Sequence, residues 1–449
     1  MAKLASQDPK VNNILKSEEQ RQREVLSMIP SENYTSTAVR EAVGSVFMHK
    51  YAEGNIGARY YEGNEYIDEL EKLTKERAAK LFKIPNTWDV NVQALSGSNA
   101  NLAVYLAVLN PGDTMMGMYL PDGGHLSHGW SYGGDQKDSE LPFVKRAGEK
   151  KVNISAKLFN TVQYTTDPKT KLFDYDEIEK IAKKYSPKLI ITGGTAYPRN
   201  IDYKRMRKIA DSVGALYMAD IAHEAGLVAA GVVDSPVGIA DIVTMTTHKT
   251  LRCARGAIIL ASSEIIKKVN RAVLPGLQGG PFNNNIAGIC VGLGEALKPE
   301  FKKYAEQILT NTRVLGEELT KLGFDLVSGG SDKHLLLIDM SNKGIFGKYT
   351  AKALNIAGIV VNMNTMPGET RPPSDPSAIR LGTPWITTRG MKEDEMKKIA
   401  ELINQVVEEV KPWGDLEYPE YIMRASDSPV LKVVRAEVED LTSKFPLDI

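Results

Sequence analysis

Short apolar runs bounded by Gly, Ser and Asp recur along this chain, at 90–95, 115–120, 189–194, 215–220, 241–243 and 256–260. They are continuous rather than alternating, the pattern of strands covered on both faces in a parallel sheet. Helical spacing separates them. Tyr66, Ile67, Leu70, Leu73, Leu81 and Phe82 mark one face of a helix over 65–83, and further helical runs cover 102–109 and 203–213. This β-α-β alternation predicts an α/β protein whose mainly parallel sheet is wrapped by helices. Beyond Pro281 the texture changes. Helical runs at 285–297 and 299–322 precede short strands at 334–340 and 359–364, which alternate with helices to the end, so a smaller α/β domain is expected there. At the start, 16–28 is helical in pattern, with Val25, Leu26 and Met28 apolar and Pro30 as the stop. The Gly- and Tyr-rich stretch 51–63 suits neither helix nor strand and reads as an ordered functional loop or an arm crossing to another subunit. The segment 130–153 lacks periodicity and reads as a surface excursion. The expected division is therefore an N-terminal helical arm and dimer-crossing segment over 1–60, a large domain over 61–298 and a small C-terminal domain over 299–449.

Length and charge narrow the partners. The 449 residues suffice for two or three domains, and 56 basic against 56 acidic residues leave no net field to recruit nucleic acid or an anionic membrane. The two cysteines, Cys253 and Cys290, have no metal-ligand spacing, so neither a disulfide framework nor a metal site is expected. Neither a signal-peptide core nor a membrane-length apolar run occurs, so a cytoplasmic location is expected.

The candidate chemistry sits at the strand exits, where open α/β sheets bind ligands. Lys249 follows the 241–243 run; a lysine there can be a counter-ion, an imine-forming nucleophile or a solvated charge. Ser96, Gly97 and Ser98 join a strand to a helix start, where free N–H groups and the positive helix end favour an anion. His125 lies beside Gly123 and Gly124, where the backbone can approach a flat group. Asp220 ends its run and needs a cationic partner. A lysine, an acid, an anion-binding helix start and a histidine ring together match the needs of pyridoxal phosphate: an imine, a partner for the ring nitrogen and a phosphate site. Walker, dinucleotide and HExxH motifs are absent.

Several further stretches occur in a recognisable order: Ile29-Pro30-Ser31-Glu32-Asn33, Tyr51-Ala52-Glu53-Gly54, Arg59-Tyr60-Tyr61, Leu95-Ser96-Gly97-Ser98, Asp122-Gly123-Gly124-His125-Leu126, Ala219-Asp220-Ile221-Ala222-His223, Thr247-His248-Lys249-Thr250-Leu251, Gln278-Gly279-Gly280-Pro281 and Ile379-Arg380-Leu381-Gly382-Thr383-Pro384. Across nearly its whole length the chain resembles the serine hydroxymethyltransferases, pyridoxal phosphate enzymes of fold type I. The resemblance implies reversible interconversion of serine and glycine, with a one-carbon unit passed to tetrahydrofolate or a related reduced pterin, in a homodimer with shared active sites that could pair into a tetramer.

It also implies roles. Lys249 carries the imine, with His248 beside it; Asp220 pairs with the ring nitrogen; His125 stacks on the ring. Thr195 and His223 line the ring's oxygen side. Ser96, Gly97 and Ser98 take the phosphate, with Gly279, Gly280 and Tyr51 reaching it from a second subunit. Arg380 clamps the substrate carboxylate, and Ser31 and Tyr61 help hold the substrate. Glu53 is the acid/base residue between serine's hydroxyl and the pterin, and Leu120, Gly124, Leu126 and Asn364 line the folate site.

The chain departs from the family pattern in places. Asn55-Ile56 replaces a Tyr-Pro pair, and Cys253-Ala254 lies in a loop that is usually richer in glycine. Cys253 reads as a small apolar filler rather than a redox group. Two rivals remain open: a folate-independent aldolase or a hydroxymethyltransferase for another amino acid, and a non-catalytic homologue that binds pyridoxal phosphate.

Overall fold

The computed structural model describes residues 2–131, 141, 143–146 and 150–449. The structure divides into two compact units, one of residues 33–306 with 366–369, the other of the N-terminal residues through Glu32 with 307–365 and 370–449.

The larger unit is organised by eight strands: β1 (Trp88–Asn91), β2 (Thr114–Met118), β3 (Val144–Arg146), β4 (Asn160–Tyr164), β5 (Leu189–Thr192), β6 (Leu216–Asp220), β7 (Ile242–Thr246) and β8 (Ala257–Ser262). Their spatial order is β1-β8-β7-β6-β5-β2-β4-β3. The inner strands β7, β6, β5, β2 and β4 are mutually parallel. β8 runs against both β7 and β1, so β1 points the same way as the parallel set.

The continuous apolar runs have a plain cause. Successive side chains leave a strand on opposite faces, and here each face has its own core. Met116, Ile190, Tyr217, Val243 and Ile258 pack on one side; Met115, Ile191, Met218, Ile242 and Ile259 pack on the other. Each fully buried aliphatic side chain adds roughly 1.5–3 kcal/mol. The helix read at 65–83 spans Glu65–Phe82, closed by Lys83 in the left-handed conformation. Ile67, Ala78, Leu81 and Phe82 are buried, but Tyr66 and Leu73 point into solvent, so two positions assigned to its apolar face lie outside it.

In the smaller unit the strands Asp325–Leu326, Leu335–Asp339, Ala378–Gly382 and Asn362–Asn364 form an antiparallel sheet in that order. Leu336, Ile338, Ile379 and Leu381 share its core with Ile399 and Ile403 of the helix Glu393–Val410 and Val434 of the helix Pro429–Ser443. The N-terminal helix is Pro9–Glu24, begun by Asp8, whose carboxylate accepts from Val11 N–H. Val25 and Met28 flank a short strand, Leu26–Ser27, rather than extending that helix, because this stretch pairs in parallel with Ile359–Val360. Arg389 fastens this arrangement: its buried guanidinium donates to the carbonyls of Arg23, Val25, Thr442 and Phe445. Packing thus divides the chain after Glu32 and Glu306, where sequence patterning suggested 60 and 298, since the first 32 residues join the C-terminal unit.

Most of the 130–153 excursion lies outside the described residues; within it, Val144–Arg146 pairs with β4. Among the described residues, no helix is long and apolar enough to cross a membrane.

Candidate active site

Within the larger unit, Ser96, Gly97, Ser98, Leu120, Gly124, His125, Leu126, Thr195, Asp220, His223, His248 and Lys249 all lie at or just past the carboxyl ends of β1, β2, β5, β6 and β7. Those five strands point the same way, so one edge of the sheet collects all twelve residues.

Lys249 sits three residues past β7 and is only 9% exposed. Its loop is held from several sides. Asn33 Nδ2 donates to the Lys249 carbonyl at 3.2 Å, Cys253 N–H to the Thr247 carbonyl at 2.8 Å, and Thr250 Oγ1 to the His223 carbonyl at 2.8 Å. Arg252 closes the turn with φ of 62° and stacks over the Tyr304 ring. Burial and the neighbouring Arg255 and Lys249 charges push His248 down to about 3, so its imidazole is neutral at physiological pH. Cys253 is buried against Gly292 and burial pushes its thiol up, which makes it a filler.

Asp220 is buried at the end of β6. Burial alone would raise its carboxyl, but the hydrogen bond from His128, the neighbouring His128 and His125 rings and the Asn101 amide outweigh that and hold it well below the usual carboxylate range. Its Oδ2 accepts from Asn101 Nδ2 at 2.8 Å and His128 Nε2 at 3.1 Å, and Oδ1 from Ala222 N–H at 3.0 Å. Burial and the His128 charge push His125 down to about 4. His125, His128 and Asp220 present ligand-type atoms within 4.8 Å of one another, although no metal site was expected from the sequence. The direct His128–Asp220 hydrogen bond accounts for that closeness.

Ser96 caps the helix Gly97–Val108 through its Oγ, which accepts from Asn99 N–H. Gly97 has no alternative: a Cβ there would lie 2.6 Å from Thr246 Cγ2, so only glycine lets the helix start approach β7. Ser98 is exposed beside it. Gly124 is equally confined, a Cβ there falling 2.2 Å from the Met118 carbonyl oxygen. Thr195 Oγ1 donates to the Gly124 carbonyl at 2.9 Å, which ties the β2 and β5 exits together. A buried anion, an imidazole, a buried lysine and a capped helix start on one sheet edge fit a phosphorylated pyridine aldehyde, whose ring nitrogen, aldehyde and phosphate call for an acid, an amine and an N–H-rich helix start.

The exposed arm makes a second cluster. Gly54–Asn55 and Ala58–Arg59 form a small hairpin, with the departing Asn55-Ile56 pair at its turn. Arg59 is buried beneath it, paired with Asp68 and Glu71. Tyr51 and Tyr61 meet edge to face at 5.9 Å, and Tyr61 donates to Glu53 Oε2 at 3.0 Å. Gly279 and Gly280 lie against this cluster: a Cβ on Gly279 would be 3.3 Å from Glu53 Oε1, and one on Gly280 3.3 Å from Tyr51 Cε1.

The smaller unit carries the remaining candidates. Arg380 lies mid-strand in Ala378–Gly382, opposite Asn362, and its Nε donates to Asn362 Oδ1 at 3.1 Å. Burial lowers its pKa to about 10, so it stays cationic at neutral pH at a desolvation cost that a bound carboxylate would offset. Asn364 pairs with Ala378 on the same strand, and Ser31 follows Pro30, whose Cα would lie 2.8 Å from a Cβ on Gly382. Arg380, Asn364 and Ser31 thus converge on one strand. Asn101, Ser127, His128 and Asn362 escaped the sequence reading; a second histidine and an asparagine within the motif-bearing stretches were the available signal.

The fold and the lysine-centred edge define an α/β enzyme of the kind that works through pyridoxal phosphate. Comparison with known proteins sharpens this: the serine hydroxymethyltransferase family matches residues 4–403. A serine hydroxymethyltransferase of Acidothermus cellulolyticus is 47% identical over 446 residues, covering 99% of this chain and 97% of that protein. The chain belongs to the serine hydroxymethyltransferase family. It is therefore a fold type I, pyridoxal-phosphate-dependent one-carbon transferase that interconverts serine and glycine.

Proposed function

We propose that the chain transfers the one-carbon unit between serine and tetrahydrofolate, as a cytoplasmic homodimer whose active sites are shared. The single observation that carries this reading is the clustering of Glu53, Tyr61 and Tyr51 on an exposed arm with Gly279 and Gly280 lying against it. Tyr51 and Tyr61 are 61% and 47% exposed, an uncommon state for two aromatic rings flanking a carboxylate and one that a second copy of the chain would relieve.

When bound, pyridoxal phosphate supplies an electron sink for charge developing at the amino acid's α-carbon. The chain's own residues do the rest. Lys249 would supply the amine that holds the cofactor's aldehyde carbon. Asp220, held anionic, keeps a proton on the ring nitrogen; His125 presents its neutral ring; Thr195 and His223 line the oxygen side, with His248 beside the lysine. Ser96, Gly97 and Ser98 hold the phosphate through the helix start, and the partner's arm brings Tyr51, Gly279 and Gly280 to it. Arg380 clamps the substrate carboxylate, and Ser31 and Tyr61 orient the substrate. Glu53 moves a proton at serine's hydroxyl, while Leu120, Gly124, Leu126 and Asn364 receive the pterin.

The test is the visible absorption of the purified protein with pyridoxal phosphate. Glycine plus tetrahydrofolate is expected to produce a strong long-wavelength band that glycine alone produces only weakly. A band indifferent to tetrahydrofolate would transfer the assignment to a folate-independent aldolase.

A further inference from the structure

The Asn101 amide has two N–H groups, and both are committed. One donates to Asp220 Oδ2 at 2.8 Å, the other to Ser127 Oγ at 2.9 Å, while Oδ1 accepts from Thr244 Oγ1 at 2.8 Å. This orientation is dictated chemically, since a flipped amide would turn its carbonyl oxygen on a carboxylate. Asn101, Ser127 and Asp220 are each under a tenth exposed. The Ser127 hydroxyl, which accepts from Asn101 through one lone pair, lies 2.7 Å from His125 Nδ1. The Ser127 backbone N–H, which can only donate, points at the same nitrogen at 3.2 Å. His125 Nδ1 is therefore bare, and its proton resides on Nε2.

We propose that Asn101 is a positioning residue for the reaction: one amide ties the Asp220 carboxylate to the Ser127 hydroxyl, which sets the tautomer and plane of His125. The two groups assigned to the cofactor ring are thus held as one unit. Sequence alone gives no hint of it, because the members come from the helix Gly97–Val108, the loop after β2, the end of β6 and β7. His128 steadies Asp220 from the other side through Nε2, and its Nδ1 is buried without a hydrogen-bond partner among the described residues. His125, lowered to about 4, is neutral across the working pH range, so its tautomer rather than its charge is what Ser127 controls.

This inference rests on the pyridoxal phosphate reading, and its test separates the two. Full-length protein labelled with 15N-histidine and loaded with pyridoxal phosphate carries six histidines, and His125 is assigned by the signal lost in His125→Asn. Wild type is expected to show a bare Nδ1 and a protonated Nε2 on His125, unchanged from about pH 6 to 9. Ser127→Ala keeps the Asn101–Asp220 bond and removes only the relay. With only the 3.2 Å backbone N–H of residue 127 left at Nδ1, it should admit a measurable share of the other tautomer and lower kcat about 10- to 100-fold, with KM for serine within about threefold. Asn101→Ala should do the same and also loosen the cofactor. Should Asn101→Ala fail to fold, Ser127→Ala decides alone. Tautomer mixing without loss of kcat, loss of kcat without mixing, or no change in either overturns the proposal. A wild type with the expected tautomer that fails to cleave serine would instead refute the proposed reaction.

Discussion

Tyr61 donates its phenolic hydroxyl to Glu53 Oε2 at 3.0 Å, and the two stand on the same exposed arm. That bond, followed by the Glu53 charge, raises the Tyr61 pKa, so the tyrosine remains a donor throughout the working pH range. Tyr61→Phe is expected to lower kcat for serine cleavage about tenfold, the loss of a hydrogen bond to a charged group. Glu53→Gln should lower it about a thousandfold while leaving the cofactor spectrum intact, as befits loss of an acid/base group. Steady-state kinetics with paired absorption spectra would check both; an E53Q variant with wild-type kcat removes Glu53 from the chemistry.

Asp220 should leave a mark on stability as well as activity. Its folded pKa lies below the unfolded value of about 3.9, so its contribution is fully present above that value and is lost as pH falls toward the folded pKa. Urea melts of wild type and Asp220→Asn, both without cofactor, should differ by a constant amount between about pH 5 and 8, with the gap closing below about pH 4. A gap that widens on acidification would contradict the buried-anion assignment.

Arg389 makes the opposite kind of prediction, about fold alone. Four buried or half-buried carbonyls on Arg23, Val25, Thr442 and Phe445 depend on one guanidinium. Arg389→Ala strands those acceptors and should cost about 3–5 kcal/mol in urea unfolding. Released pairing of Leu26–Ser27 with Ile359–Val360 should appear as faster amide exchange in both segments.

Gly97→Ala tests the approach of the helix start to β7. The added methyl meets Thr246 Cγ2 at 2.6 Å, so the first turn must move outward. Affinity for pyridoxal phosphate is expected to fall tenfold or more, corresponding to about 1.4–3 kcal/mol of overpacking strain. Equilibrium dialysis with the cofactor measures it; unchanged affinity would place the phosphate elsewhere.

Much of this site was legible in the chain because strand ends announce themselves. Lys249 after β7, Asp220 closing β6 and Ser96 opening a helix are local patterns, readable from a dozen neighbouring residues. The unread parts are relations between distant positions. Val25–Met28 looks like the end of a helix until its partner at Ile359–Val360 is seen, and Leu73 looks buried until the packing of its helix is known. Asn101 shows the same limit chemically: an asparagine in a helix is unremarkable until Asp220, Ser127 and Thr244 arrive around it. Arg380 announces its charge, but its support from Asn362 depends on the register of two strands.

We propose that the Lys249 edge and the Glu53 arm serve one folate-linked reaction on glycine and serine. It is tested most directly by following exchange of the glycine α-proton with deuterated solvent by NMR, using the holoenzyme with and without tetrahydrofolate. Slow exchange is expected with glycine alone, acceleration of at least about tenfold with tetrahydrofolate, and loss of both in Lys249→Ala. Exchange that tetrahydrofolate leaves unchanged, or that survives without Lys249, would contradict it.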